Sequence, residues 1–233
     1  MRGLVLFDID GTLLRAGDPD HQLAFVEAMQ QVYGLPATLD GVPLAGMLDA
    51  QIARLALGRH GLAEAEIDAR LAEMVALMGE RYAAKVARDS RIERLLPGVV
   101  GTLERLQGDG FALGVLTGNV RSVAHAKLAA AGIRRFFATG AFGDSARERG
   151  HLVEAAQTAA AEVFHQEFPG ALTVLVGDTP RDIAAARHGG ALVIAVATGR
   201  YDPAQLAAAQ PDAVFPDLSD VAAVAATVER LVG

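Results

Sequence analysis

The sequence contains no cysteine and no tryptophan among its 233 residues, and aromatic residues make up only 5%. Without cysteine the chain cannot form disulfides, thiolate metal sites or a thiol nucleophile. Long apolar runs are also absent. The longest, Ala191–Ala197, is far short of the roughly 20 residues that span a bilayer. The apolar stretch before Asp8 is too short for a signal peptide.

Positive charge is scarce as well. The chain has 21 Lys and Arg against 28 Asp and Glu, a formal net charge of −7, and no clustered basic stripe. Because contacts with phosphates supply most nucleic-acid affinity, such a chain is a poor nucleic-acid binder. We therefore expect a cytoplasmic protein that binds neither nucleic acid nor membrane.

The chain is nevertheless rich in core-forming residues, with 52% hydrophobic residues. Leu4–Phe7 predicts a buried strand, whereas residues 16–91 carry helical spacing and no strand pattern. After Pro97–Gly98, predicted strands alternate with predicted helices, which is typical of βαβ units and a parallel sheet. The later strands are predicted at Phe111–Leu116, Phe136–Phe142, Leu172–Val176, Leu192–Val196 and Ala213–Phe215. We predict one parallel α/β core, residues 1–15 and 92–233, with a helical insertion at 16–91.

Polar residues follow three of these strands, at the sheet edge where open parallel sheets bind ligands. They are Asp8-Ile9-Asp10-Gly11-Thr12, Thr117-Gly118-Asn119 and Gly177-Asp178-Thr179-Pro180-Arg181-Asp182. Four carboxylates converging there would repel one another unless a hard cation neutralised them. Carboxylate ligands together with an anionic substrate point to Mg²⁺.

Each cluster suggests a role. Asp8 and Asp10 lie two residues apart and would point the same way in extended backbone, so one can attack an electrophile while the other handles a proton. To protonate a leaving group, the second carboxyl group needs a raised pKa, which a nearby anion can provide. Gly11 permits close backbone approach and can offer its N–H to a phosphate oxygen.

The two later clusters complete the predicted site. Gly118 and Asn119 are expected to open the next helix, whose N-terminus favours anions, beside the Thr117 hydroxyl. Asp178 would complete the ligand set of the metal, and Asp182, one helical turn on, would orient it.

Together these motifs resemble the haloacid dehalogenase superfamily, and the phosphoglycolate-phosphatase-like branch is the most similar. The resemblance implies a Rossmann-like core with an α-helical cap after the first strand. It implies that Asp8 is the nucleophile and a Mg²⁺ ligand, forming an aspartyl-phosphate with a small phosphorylated metabolite. Asp10 would be the general acid/base and give its carbonyl to the metal. Thr117 and the Gly118 N–H would hold the phosphoryl oxygens, Asp178 would bind Mg²⁺ and Asp182 would steady the site.

One motif departs from the superfamily pattern, which has a lysine before the helix that precedes the fourth strand. Residues 143–151 contain no lysine. We predict Arg149 as the substitute, with Arg147 as the alternative, because an arginine fork can hold both a phosphoryl oxygen and Asp8. Arginine and lysine are not equivalent at close range, so the match between residues 143–151 and the lysine motif of the superfamily stays open.

Four other activities remain open. Dehalogenases of the superfamily typically lack the second carboxylate, so Asp10 argues against them, and a phosphonatase would need Lys85 as a Schiff-base lysine. A sugar-phosphate mutase would use the same core residues, and a non-catalytic binding protein would be expected to have lost a carboxylate. The basic residues of the insertion could contact an anionic substrate, although surface positions are the simpler expectation for Arg54, Arg59, His60, Arg81 and Lys85.

Overall fold

β1 (Leu4–Phe7) lies at the centre of the sheet and is buried along its whole length. In the computed structural model, which describes residues 1–233, five further strands run parallel to one another and to β1 in one sheet. They are β2 (Ala112–Leu116), β3 (Thr139–Ala141), β4 (Thr173–Gly177), β5 (Leu192–Val196) and β6 (Ala213–Phe215). The order β3-β2-β1-β4-β5-β6 is that of Rossmann-type sheets, so the predicted fold class is confirmed.

Successive residues of β1 face opposite sides of the sheet, which therefore has two separate cores. Val5 and Phe7 belong to a cluster of 26 buried residues. Leu4 and Leu6 belong to a cluster of 19 on the other face. The helices that follow β1–β6 and supply much of these clusters are α4 (Val99–Gly108), α5 (Arg121–Ala130), α6 (Leu152–Phe164), α7 (Pro180–His188), α8 (Pro203–Ala208) and α9 (Val221–Val232).

Between β1 and α4 the chain forms three α-helices and no strand. They are α1 (Pro19–Tyr33), α2 (Asp49–Gly58) and α3 (Glu64–Val86), and we call this segment the helical insertion. Its apolar faces form a third cluster of 18 buried residues, which Val120 and Val123 of the core also join. The exact boundaries between the core and the helical insertion, at residues 16 and 91, stay a prediction.

Two local predictions differ from the structure. The predicted strand Phe136–Phe142 shortens to β3, because residues 134–136 form a 3₁₀ turn. α5 begins at Arg121 with Val120 as its N-cap, so Asn119 precedes the helix and does not open it. None of the nine α-helices is long and apolar enough to cross a bilayer.

Candidate active site

The carboxyl ends of β1, β2 and β4 open into a cavity of about 400 Å³ that the helical insertion covers. We call it the active-site cavity. Seven of the nine predicted site residues line it: Asp8, Asp10, Thr117, Gly118, Asn119, Arg149 and Asp178. Gly11 and Asp182 lie behind this lining, Gly11 against Asp178 and Asp182 against Arg149. Residues that the sequence separates by up to 170 positions thus meet at one sheet edge.

Asp8 lies beside an arginine. Its Oδ2 is 3.1 Å from Nη2 of Arg149, and both side chains are buried. The same guanidinium donates hydrogen bonds to Oδ1 of Asp182, from Nε at 3.1 Å and also from Nη2. Arg147 is 84% exposed and lies 3.6 Å from Asp68 of the insertion. Of the two candidate arginines, the structure brings only Arg149 to Asp8.

Three carboxylates converge beside this arginine: oxygens of Asp8, Asp178 and Asp182 all lie within 4.8 Å of one another. Both oxygens of Asp182 are already used, Oδ1 by Arg149 and Oδ2 by the N–H and hydroxyl of Thr179. Thr179 is the N-cap of α7, and its capping box with Asp182 fixes that carboxylate. This leaves Asp8 and Asp178 free to share a ligand, with Asp182 orienting Arg149.

The pKa values of the two remaining carboxyl groups, Asp8 and Asp178, are both strongly raised. The pKa of Asp8 is raised to about 7: burial raises it most, the Arg149 guanidinium opposes this, and the carboxylates of Asp182 and Asp10 add to the rise. Burial, followed by Asp182 and Asp8, raises the pKa of Asp178 to about 9. Two buried carboxylates that repel each other in this way fit a hard divalent cation, which would offset the repulsion and keep both ionised. Asp8 and Asp178 would hold it.

Two glycines make room for Asp178. Gly11 has φ +94°, and a Cβ there would lie 2.3 Å from Oδ2 of Asp178. A Cβ on Gly199, in the loop after β5, would lie 1.7 Å from the same oxygen. Thr12 donates from Oγ1 to Oδ1 of Asp178 at 3.3 Å. The expectation that the Gly11 N–H faces a phosphate oxygen is wrong, because this N–H donates to the Leu14 carbonyl at 2.7 Å in the tight turn after β1.

Asp10 occupies a different electrostatic environment from Asp8. Lys127 Nζ lies 2.6 Å from its Oδ2 and 2.8 Å from its Oδ1, and Asn119 Nδ2 donates to Oδ2 at 2.7 Å. Burial alone would raise the pKa of Asp10, but the Lys127 ammonium, together with His21 and the Asn119 side chain, outweighs burial and lowers it below the ordinary value. The raised pKa expected from the sequence is therefore not found for Asp10 among these neighbours.

Lys127 is the functional residue that the sequence reasoning missed. Its side chain is only 2% exposed, and Nζ also contacts Oδ1 of Asn119 at 2.9 Å and Nδ1 of His21 at 3.3 Å. A signal was present, since Lys127 lies on the apolar face of α5, three residues after Ala124 and beside Leu128. A lone lysine on a buried helix face needs an anionic partner.

The polar residues that follow β2, Thr117 to Asn119, lie between the Asp8–Arg149 pair and the Asp10–Lys127 pair. Thr117 Oγ1 accepts a hydrogen bond from Asn119 Nδ2 at 2.9 Å. Both polar atoms of the Asn119 side chain thus have hydrogen-bond partners within the protein. The backbone N–H of Gly118, which lines the cavity, has no acceptor within the protein. The insertion docks at this point, because Asp49 N donates to the Gly118 carbonyl at 2.9 Å and Val120 N donates to Asp49 Oδ2 at 2.8 Å.

None of the five basic residues singled out in the insertion lines the cavity. Arg54 pairs with Asp68 at 2.8 Å, and Arg59 donates to the carbonyls of residues 40 and 41. Arg81 and Lys85 both face Glu27, at 2.9 and 3.6 Å. These contacts agree with the expected surface positions and leave Lys85 outside the site.

The fold and site define an α/β enzyme with a cluster of buried carboxylates at the carboxyl edge of a Rossmann-type sheet. The sequence profile of the haloacid dehalogenase-like hydrolases matches residues 5–187, and the chain belongs to this family. Its similarity to phosphoglycolate phosphatases confirms the branch expected from the motifs.

Two curated relatives have that name. The phosphoglycolate phosphatase of Agrobacterium fabrum is 30% identical, covering 98% of this chain and 94% of the relative. A plasmid-encoded phosphoglycolate phosphatase of Cupriavidus necator is also 30% identical, covering 94% and 91%. The crystal structure of a predicted phosphoglycolate phosphatase from Haemophilus somnus superposes with a TM-score of 0.67 at 25% identity, covering 95% of this chain and 97% of that one.

Proposed function

We propose that this protein is a Mg²⁺-dependent phosphatase that hydrolyses a small phosphate monoester through an aspartyl-phosphate on Asp8. The observation that carries the proposal is the position of Asp8, buried between the guanidinium of Arg149 and the carboxylate of Asp178. Phosphoryl transfer needs charge neutralisation and in-line positioning more than it needs special side chains. The phosphatase names of the relatives support the same chemistry.

The reaction has two steps. An oxygen of Asp8 attacks phosphorus, the ester P–O bond breaks, and Asp10 gives its proton to the departing alcohol oxygen. Asp10 then takes a proton from a water molecule, which attacks phosphorus, and the Asp8–phosphorus bond breaks to release phosphate. The cation would neutralise charge on the phosphoryl oxygens and on Asp8 when it is bound.

Asp10 needs a proton for the first step, although the Lys127 ammonium lowers its pKa. A phosphoryl dianion entering the cavity adds negative charge beside Asp10 and raises its pKa. Lys127 then stabilises the carboxylate that proton donation leaves behind, and this carboxylate is the base needed in the second step. One charge pair can thus support both directions of proton transfer.

The remaining roles follow from free donors. The Gly118 N–H and the Thr117 hydroxyl would contact phosphoryl oxygens, and Arg149 would hold another. Asn119 would act on the phosphoryl group through Asp10 and Thr117. Asp10 would reach the cation through its backbone carbonyl, and the helical insertion, residues 16–91, would act as a cap that excludes bulk water.

The test is hydrolysis of p-nitrophenyl phosphate with and without Mg²⁺. We expect turnover that requires Mg²⁺ and that chelator abolishes. Asp8→Asn should lower kcat at least ~10³-fold, the scale for removing a nucleophile. Asp109→Asn, which changes a partly exposed carboxylate that pairs with Arg105 and does not line the cavity, is the matched control. Wild-type turnover by Asp8→Asn would refute the proposal.

Phosphate release separates hydrolysis from the mutase alternative. Small phosphate esters, including 2-phosphoglycolate and hexose phosphates, are incubated with the enzyme and free phosphate is measured. Release of phosphate supports the phosphatase, whereas an isomerised ester without release would identify a mutase. The pairing of Lys85 with Glu27 outside the cavity gives no support to a phosphonatase.

A further inference from the structure

The helical insertion contacts residues 118–120 of the core, which we call the docking segment, through a single residue of α2. Asp49, the first residue of that helix, donates its backbone N–H to the Gly118 carbonyl at 2.9 Å. Its side chain accepts the Val120 N–H on Oδ2 at 2.8 Å. Asp49 is only 3% exposed, so these two hydrogen bonds are shielded from water.

The backbone of Gly118 is enclosed between the insertion and the core. A Cβ on this residue would lie 2.0 Å from the carbonyl oxygen of Met47, in the insertion. On the other side lies the loop after β3, where a Cβ on Gly143 would be 2.1 Å from the Gly118 carbonyl oxygen. The Gly143 N–H also donates to the Asn119 carbonyl at 2.8 Å. Glycine at position 118 therefore allows the two parts of the protein to meet backbone to backbone.

These contacts surround the one backbone donor of the docking segment that stays free, the Gly118 N–H. Before it, the Thr117 N–H donates to the Ala141 carbonyl at 3.1 Å, so the sheet fixes the chain on that side. After it, Asp49 holds the Gly118 carbonyl and the Val120 N–H. Because glycine has more backbone freedom than any other residue, the direction of its N–H depends on such neighbours.

We propose that Asp49 is a positioning residue for phosphoryl transfer: bound to the docking segment, it orients the Gly118 N–H towards the phosphoryl group. This inference rests on the phosphatase activity proposed above. A donor that is oriented in advance stabilises the charge that develops in the transition state, and removing one such donor costs about 10²–10³-fold in kcat. Hydrolysis then depends on α2 lying docked against the core, which also keeps the cavity covered.

Two substitutions of Asp49 separate its hydrogen bond from its charge. Asp49→Ala removes the acceptor of the Val120 N–H. Asp49→Asn keeps an oxygen acceptor and removes the negative charge, which lies 3.7 Å from Nε2 of His21. We expect kcat for p-nitrophenyl phosphate to fall about 10–100-fold in Asp49→Ala and to stay within about three-fold of the wild type in Asp49→Asn. Equal losses in the two variants would assign the effect to the charge and overturn the inference.

Inhibition distinguishes positioning from a loss of folded protein. Orthovanadate adopts the five-coordinate geometry of phosphoryl transfer, whereas inorganic phosphate resembles the product, and neither inhibition constant depends on how much of the enzyme is folded. We expect inhibition of Asp49→Ala by orthovanadate to weaken at least ~10-fold, and inhibition by phosphate to change by less than about three-fold. A lower kcat with unchanged orthovanadate inhibition would mean that Asp49 only stabilises the fold.

Arg181→Gln is the matched control, because the exposed Arg181 joins the core to the insertion at a different point. Its Nη1 donates to the Ala45 carbonyl. We expect kcat and both inhibition constants to stay within about two-fold of the wild type. A loss as large as that of Asp49→Ala would mean that any weakening of the interface lowers activity, and would contradict a specific role for Asp49.

Gly118→Ala tests the same contact if Asp49→Ala does not fold. The substitution keeps the backbone N–H, but its Cβ would displace the Met47 carbonyl, and we expect a similar weakening of orthovanadate inhibition. Unchanged inhibition would count against the inference. Mg²⁺-dependent hydrolysis of p-nitrophenyl phosphate by the wild type separates the two proposals. With that activity present and Asp49→Ala unaffected, only the positioning role fails, and without that activity both fail.

Discussion

Lys127 and Asp10 form a bidentate contact in the active-site cavity, with Nζ 2.6 Å from Oδ2 and 2.8 Å from Oδ1, although 117 positions separate them in the chain. The lysine is nearly fully buried and the aspartate partly exposed. Removing one partner of such a pair leaves a charge without compensation. The pKa of Asp10, the proposed acid/base residue, therefore depends on a lysine that α5 holds in place.

Lys127→Met should raise the pKa of Asp10, because the ammonium is what lowers it. Asp10 would then be protonated up to a higher pH and would lose its role as base there. We expect the acidic limb of the kcat profile to move to higher pH, with the largest loss of activity at low pH. Lys127→Arg keeps the charge and should keep the limb in place. An unchanged profile in Lys127→Met would contradict the assignment.

Asp178→Asn should stabilise the metal-free protein while abolishing its activity. The pKa of Asp178 is raised to about 9, so the folded state binds a proton that the unfolded state releases above about pH 4. Stability is therefore lost as pH rises from about 4 to 9, and asparagine removes this loss. We expect the variant to gain at least ~1 kcal/mol in free energy of unfolding at pH 8, and almost nothing near pH 4.

Denaturant unfolding at the two pH values, without and with Mg²⁺, measures this effect. Mg²⁺ should stabilise the wild type and leave Asp178→Asn unchanged. Turnover should fall at least ~10²-fold, as for loss of a charge stabiliser. If the variant were less stable than the wild type at pH 8, burial and the neighbouring carboxylates would not raise the pKa of Asp178 in the folded protein.

Arg149→Ala should lower kcat by ~10²–10³-fold, because it removes a donor aimed at the phosphoryl group and at Asp8. Arg147→Ala is the matched control and should stay within about two-fold, since Arg147 is exposed. Arg149→Lys should recover part of the activity and restore the residue type usual in the superfamily. Circular dichroism must accompany kcat, because Asp182 loses its partner. Equal mild effects of the two alanine variants would exclude both arginines as the phosphate clamp.

Gly199→Ala should weaken Mg²⁺ binding about 10–100-fold, because its Cβ would lie 1.7 Å from Oδ2 of Asp178 and push that carboxylate away. Gly108→Ala is the control, since a Cβ there meets nothing within 4 Å. Calorimetric titration with Mg²⁺ compares the two variants. Equal affinities would show that Asp178 does not depend on the space beside Gly199.

The sequence by itself determined the sheet and the location of the site. β1, β2, β4 and β5 follow from local apolar runs, and the carboxyl ends of parallel strands share one edge. The polar residues after three of those strands therefore had to meet. The length of β3 and the start of α5 were less predictable, because 3₁₀ turns and helix caps depend on single contacts.

Only the tertiary structure decided the electrostatics within that edge. It brings Lys127 to Asp10, Arg149 rather than Arg147 to Asp8, and Gly199 against Asp178. It also pairs Arg54, Arg81 and Lys85 of the insertion with acidic side chains of the same segment, outside the lining of the cavity. Composition and spacing do not give the distance between residues that are a hundred positions apart in the chain. The pKa of a carboxyl group depends on groups within a few ångströms, so it could not be predicted from the sequence.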